Sequence, residues 1–184
     1  MTENRDVYPV EVAGVARELP LFEVAPGVRI AVLNILGDTE LVEAAGKALI
    51  EKMNPDAYDV LVTAEAKSIP LVHAMSVVSG KPYVVLRKAY KPYMGVALSA
   101  ETVSITTGKP QMLFLDEKDH MMLKEKRVAL VDDVISTGST QKGMTKLMKK
   151  AGADVTVEAS VFTEGDPEKW THIVALGHLP VFTE

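Results

Sequence analysis

A chain of 184 residues has room for one sizeable core and a modest appendage. Its 47% hydrophobic and 24% charged residues are the mixture of a soluble globular protein rather than a disordered one. Lys and Arg number 20 against 25 Asp and Glu, and a net charge of -5 argues against a nucleic-acid binder that relies on bulk positive charge. Cysteine is absent, which excludes disulfides, a thiol nucleophile and Cys-ligated metal. No apolar run approaches the ~20 residues of a membrane span, and the opening MTENRDVYPV lacks the apolar core of a secretory leader. The expected address is the cytoplasm, with no membrane partner.

Residues 1–37 read as an irregular, Pro-containing leader, set apart from a core at 38–184. Asp38-Thr39 caps a helix through Leu41, Ala45, Ala48 and Leu49, whose apolar positions recur at helical spacing. Asp59–Thr63 is a short buried strand, and Ile69–Val78 a helix with Pro70 in its first turn. Strands follow at Tyr83–Leu86 and Arg127–Val131. Between them, residues 89–126 form a long excursion without a convincing core helix. Within it, 94–112 reads as a hinged, flexible loop with few residues able to anchor it. Met144, Leu147, Met148 and Ala151 give the next helix one apolar face, and Gly152 stops it. Strands at Val155–Phe162 and Ile173–Leu176 complete the pattern. The fold class is α/β, a mainly parallel sheet flanked by helices. The four histidines, His73, His120, His172 and His178, share no helical ligand spacing and read as structural or surface residues.

Chemistry concentrates between the third strand and its helix, in Val131-Asp-Asp-Val-Ile-Ser-Thr-Gly-Ser-Thr140. Ligands of open parallel sheets bind at the carboxyl ends of strands, where this segment falls. Ser136, Thr137, Gly138, Ser139 and Thr140 offer hydroxyls, a flexible glycine and the N–H groups of a helix N-terminus, a cradle for phosphate. Asp132 and Asp133 would repel that phosphate, so they belong to hydroxyls or a hydrated cation elsewhere on one ligand. A sugar phosphate satisfies both. The glycine spacing from Gly138 to Gly143 is that of a nucleotide P-loop, but Met144 stands where the essential lysine belongs.

The string Val-Ala-Leu-Val-Asp-Asp-Val-Ile-Ser-Thr-Gly-Ser-Thr resembles the phosphoribosyl pyrophosphate (PRPP) signature of type I phosphoribosyltransferases, in their adenine and purine branch. The resemblance implies that Asp132 and Asp133 bind the ribose hydroxyls and hold Mg²⁺, directly or through water, as the catalytic pair. It also implies that Ser136–Thr140 wrap the 5′-phosphate. Glu65-Ala66-Lys67 resembles the family's pyrophosphate loop. Arg87, Lys88 and Lys91 are similar to its basic segment after the second strand, which adds pyrophosphate contacts, often across a homodimer. Arg17–Phe22 and Ala25–Ile30, within the 1–37 segment, are similar to a small N-terminal hood that covers the base, which implies base contacts at Val28, Arg29 and Ile30. Ile30 stands where the adenine branch has an aromatic residue. Thr106–Gln111 is the nearest match to that branch's Glu-Tyr pair and holds no carboxylate.

The function implied is Mg²⁺-dependent transfer of phosphoribose from PRPP to a purine-like base, giving a nucleoside monophosphate and pyrophosphate. With no loop acid to manage the base proton, oxopurines rank ahead of adenine. The alternative is a PRPP-binding regulator with reduced or lost chemistry, which the missing loop acid and hood aromatic favour. The lack of an appended DNA-binding segment disfavours it, and no nucleic-acid partner is expected.

Overall fold

The computed structural model of the chain describes residues 5–103 and 110–183. Residues 104–109, which include the Thr106–Lys109 stretch of the loop reading, lie outside it. The central sheet has five parallel strands. In chain order these are β4 (Val60–Ala64), β5 (Tyr83–Leu86), β8 (Arg127–Ile135), β9 (Asp154–Glu164) and β10 (Val174–Leu179). Their spatial order is β10-β9-β8-β4-β5.

Period-two alternation divides the sheet's side chains between two covered faces. Leu61, Ala129, Val131, Ala159 and Val161 pack under α1 (Thr39–Lys52) and α2 (Ile69–Ser79). Val60, Val62, Val84, Val128 and Leu130 meet Met144, Leu147, Met148 and Ala151 of α4 (Ser139–Ala151). That is the continuous apolar strand pattern expected of a parallel sheet buried on both sides.

Asp38 caps α1 as the sequence implies, its carboxylate accepting from the Leu41 N–H at 3.2 Å. The same carboxylate receives two bonds from the Arg17 guanidinium at 2.7 and 2.8 Å. Arg17 thereby holds the Asp38 carboxyl below its ordinary value of 3.8.

Two expectations fail, both outside the βα rhythm. The leader is not irregular. It forms β1 (Val7–Val12), β2 (Val15–Ala25) and β3 (Val28–Ala31), an antiparallel meander. Ala13-Gly14, with φ of 51° and 81°, makes the two-residue turn from β1 to β2. Val12, Leu19 and Ala31 bury one face of the meander on the α1 side of the core. Its fourth strand is β11 (Val181–Thr183), which pairs with β3, so the sheet draws on both ends of the chain.

The excursion is also better anchored than its sequence suggests. It holds β6 (Leu98–Val103) and β7 (Pro110–Leu115), paired antiparallel, and a short α3 (Glu117–Leu123). Met94, Ala100, Leu113, Leu115 and Leu123 are all buried. A Cβ at Gly143 of α4 would run into the Thr102 methyl, so this glycine serves the close approach of β6 rather than a nucleotide. The apolar residues come at strand spacing interrupted by turns, which hid them from a helix-periodic reading.

Candidate active site

The chain reverses direction in the sheet between β4 and β8. From β4 it proceeds outward to β5, and from β8 to β9 on the other side. The connections leaving the carboxyl ends of β4 and β8 therefore diverge and leave a crevice, the usual ligand position of such sheets. Thr63 Oγ1 fastens the two strands by donating to the Val131 carbonyl at 2.8 Å.

Asp132 and Asp133 lie at this crevice, but still within β8, which pairs with β9 as far as Ile135. Successive strand residues ordinarily face opposite ways, but here both carboxylates come within reach of one hydroxyl, that of Ser68. On one side the Gln141 amide of α4 donates to Asp132 Oδ2 at 3.1 Å. On the other, Lys67 Nζ sits 2.6 Å from Asp133 Oδ2, and Asp133 is only 5% exposed. Ser68 joins them, its hydroxyl lying 2.9 Å from Asp132 Oδ1 and 3.3 Å from Asp133 Oδ1. Burial, with the neighbouring Asp133 charge added, pushes the Asp132 carboxyl well above the usual carboxylate range, and the Ser68 bond works against that rise.

Glu65, Ala66 and Lys67 follow β4 directly, and the Glu65–Ala66 peptide is cis. Glu65 faces β5 and accepts from Arg87 Nε at 2.5 Å and from the Lys88 N–H at 2.6 Å. Arg87 is thus held beside the β4 loop, while Lys88 and Lys91 lie exposed on the segment beyond. Lys67 also donates to the Leu33 carbonyl at 3.2 Å, which links the chain leaving the hood to the acid pair. Val28, Arg29 and Ile30 sit inside the hood sheet, between β2 and β11. Arg29 pairs there with Asp6 at 2.9 Å.

The hydroxyl loop leads from β8 into α4. Gly138 caps the helix at φ 72°, a left-handed conformation that favours glycine. Ser136 and Thr137 are exposed, Ser139 and Thr140 partly so. Thr137 Oγ1 and Ser139 Oγ lie 3.0 Å apart. Helix α4 begins here, so its first-turn N–H groups line the loop, that of Ser139 donating at 3.4 Å to Thr137 Oγ1.

Sequence reasoning missed four residues at this site. Ser68 stands at the N-cap of α2 yet makes no capping bond there, since its hydroxyl is turned to the acids. Gln141 lies one turn into α4, on the side facing β8. Glu164 and Trp170 reach the loop from β9 and from the 3-10 turn Pro167–Trp170. Ser68 had a local signal, a cap residue just after Lys67. The other three had none.

A family model described as the phosphoribosyl transferase domain matches residues 33–175. The hypoxanthine/guanine phosphoribosyltransferase of Methanotorris igneus is 31% identical over 130 residues, 71% of this chain and 67% of that protein. The protein of the same name from a Methanocaldococcus species is 30% identical over 134 residues, 73% of this chain and 65% of its own length. The chain therefore spans about two-thirds of these relatives. Adenine phosphoribosyltransferase from Thermoanaerobacter pseudethanolicus shares the fold with a TM-score of 0.71 at 20% identity, over 87% of this chain and 95% of that one. The Trypanosoma brucei adenine enzyme, solved with AMP, pyrophosphate and ribose-5-phosphate, gives 0.63 at 20% identity over 94% of this chain and 76% of its own.

Proposed function

Because the chain belongs to the phosphoribosyltransferase family, we propose that it transfers phosphoribose from PRPP to a ring nitrogen of a purine base, releasing pyrophosphate. The observation that carries this reading is the acid pair in the β4–β8 crevice, with a lysine loop on one side and a hydroxyl loop on the other. One ligand with a diol between two phosphate groups matches that order of charges.

Asp132 and Asp133 take the ribose hydroxyls, and Ser136–Thr140 take the 5′-phosphate. Lys67 and Arg87, with Lys88 and Lys91 beyond them, receive the pyrophosphate as the C1–O bond breaks and negative charge collects on the leaving group. Arg suits this role because its planar fork pairs with two phosphate oxygens. Val28, Arg29 and Ile30 are the hood's base-side candidates.

The donor set fits Mg²⁺ in a particular way. Among the described residues no group of three or more acidic, His or Cys side chains converges, yet two adjacent carboxylates face the crevice. Such a pair suits a cation that keeps its waters and takes other oxygens from the substrate. When bound there, the cation neutralises pyrophosphate charge.

The base is an oxopurine. The relatives named for hypoxanthine and guanine support this choice, as does Ile30, which offers no aromatic face. A homodimer completes the reading. Tyr90 and Tyr93, 48% and 71% exposed beside Lys88 and Lys91, supply the surface a second copy would cover. No helix among the described residues is long and apolar enough to cross a membrane, and the cytoplasm is the proposed location.

The test is incubation with PRPP, Mg²⁺ and each of guanine, hypoxanthine, xanthine and adenine, with products read by mass spectrometry. Nucleoside monophosphate from an oxopurine is expected. Turnover of adenine alone would overturn the base assignment. Tight PRPP binding with no product from any base would leave a regulator in place of an enzyme.

A further inference from the structure

Glu164 ends β9 and Trp170 ends the following 3-10 turn, and the transfer chemistry above uses neither. Both converge on the hydroxyl loop. Ser136 Oγ donates to Glu164 Oε1 at 2.6 Å, and Glu164 is 5% exposed. A hydroxyl has one proton. With that proton spent on Glu164, the Ser136 hydroxyl turns only lone pairs toward an arriving phosphate, so its side chain ties the loop down and its part in holding the ligand falls to the backbone N–H.

Trp170 meets the loop one turn further on. Its indole Nε1–H donates to the Glu164 carbonyl at 2.9 Å. The far edge of the ring lies against Gly138, where a Cβ would stand 2.9 Å from Cη2 and 3.3 Å from Cζ3. The Glu164–Gly165 corner is itself fixed, since the Gly165 N–H donates to the Leu179 carbonyl at 3.1 Å. His178 Nε2 lies 2.9 Å from the Gly165 carbonyl. A carbonyl only accepts, so Nε2 donates to it, while Nδ1 lies 2.9 Å from Thr163 Oγ1. A continuous chain of contacts thus runs from β10 through the corner and Trp170 to Gly138.

We propose that Glu164 and Trp170 are positioning residues of the 5′-phosphate subsite, Glu164 anchoring Ser136 and Trp170 walling Gly138, so that the loop's N–H groups are aimed before the ligand arrives. This rests on the assignment of loop 136–140 to the 5′-phosphate. Pre-set donors lose less on binding than donors that must first be ordered.

Trp170 is the only tryptophan in the chain, so its emission reports on the loop directly. Ribose 5-phosphate should shift that emission saturably, and inorganic pyrophosphate should not. Trp170→Leu should raise the Kd for ribose 5-phosphate by about tenfold or more, leaving pyrophosphate within about twofold. Trp170→Phe keeps a ring against Gly138 and should recover most of the loss. Glu164→Gln keeps an acceptor for Ser136 and should stay near the parent, whereas Glu164→Ala should behave like Trp170→Leu. Should Trp170→Leu fail to fold, the Glu164 pair and the parent's emission still decide. Unchanged emission while ribose 5-phosphate binds, or equal weakening of both ligands, would overturn the inference alone. A parent protein that binds pyrophosphate but not ribose 5-phosphate would instead overturn the assignment of the loop.

Discussion

At the scale of single residues, the site is a problem in charge placement. Two carboxylates side by side at a buried strand end repel each other, and the fold offsets this with Lys67, Ser68 and Gln141. Residues that serve a ligand often cost stability. Asp132→Asn with Asp133→Asn should therefore leave the melting temperature unchanged or raised, while Mg²⁺-PRPP affinity falls by roughly a hundredfold, two charge-assisted contacts being lost. Calorimetry finding parental affinity in the folded double variant would remove the acids from the ribose. Lys67 Nζ lies 2.6 Å from Asp133 Oδ2, so on the proposed reading it would compete with a cation for that carboxylate as well as meet the pyrophosphate. Lys67→Met should tighten Mn²⁺ binding to the protein alone, because the internal competitor is gone, yet weaken pyrophosphate by about tenfold. Proton relaxation by Mn²⁺ reads the first and calorimetry the second. A lysine that only contacts pyrophosphate would leave Mn²⁺ binding untouched.

At the scale of elements, the acid pair is held by strands and helices whose junctions can be probed one at a time. Asp38 both starts α1 and receives Arg17 from β2, so it joins the hood to the core. Asp38→Ala should cost about 0.5–2 kcal/mol through the cap alone. Asp38→Asn can still cap and should cost less. The carboxyl's folded value is depressed, so its contribution is in force above the ordinary value of 3.8 and is lost as pH falls through the folded value. The parent's urea midpoint should consequently drop more steeply below pH 4 than that of Asp38→Asn. Parallel acid limbs in the two proteins would show that Asp38 does not tie α1 to β2 in solution. The β6–β7 hairpin is the other junction. Its buried Ala100, Leu113 and Leu115 rest on α4, so the stretch that the sequence suggests is a hinged loop has a fixed base.

At the scale of the whole molecule, the hood is closed by the far end of the chain. β11 pairs with β3, and the Phe182 ring meets Tyr8 edge-on at a centroid distance of 5.4 Å. Removing residues 181–184 should lower the melting temperature and speed amide exchange through 7–31, with β8 and α4 little affected. Exchange unchanged in the hood would mean that β1, β2 and β3 stand without their fourth strand. Two residues before β11, at the end of β10, the Leu179 carbonyl accepts from the Gly165 N–H and so fixes the wall of the hydroxyl loop.

The sequence by itself determined the parts that local rules write. Local apolar pattern specified β5 to the residue and α2 to within one, and it marked the start of α1 and the stop of α4. The run of apolar strand, two acids and a hydroxyl-glycine turn marked the crevice, because strand end, turn and helix cap are encoded within a dozen neighbouring residues. Tertiary structure decided what depends on distant partners. Ser68 reaches Asp132 across 64 positions, Lys67 reaches Leu33 across 34, and Ser136 finds Glu164 across 28. The strands of the hood escaped notice because they are half-exposed and joined by an Ala-Gly turn with a weak local signature, and because the closing strand lies at the other end of the chain. Strand pairing and side-chain bonds of this kind carry no period in the sequence. They exist only once the sheet order β10-β9-β8-β4-β5 has brought the carboxyl ends of its strands together.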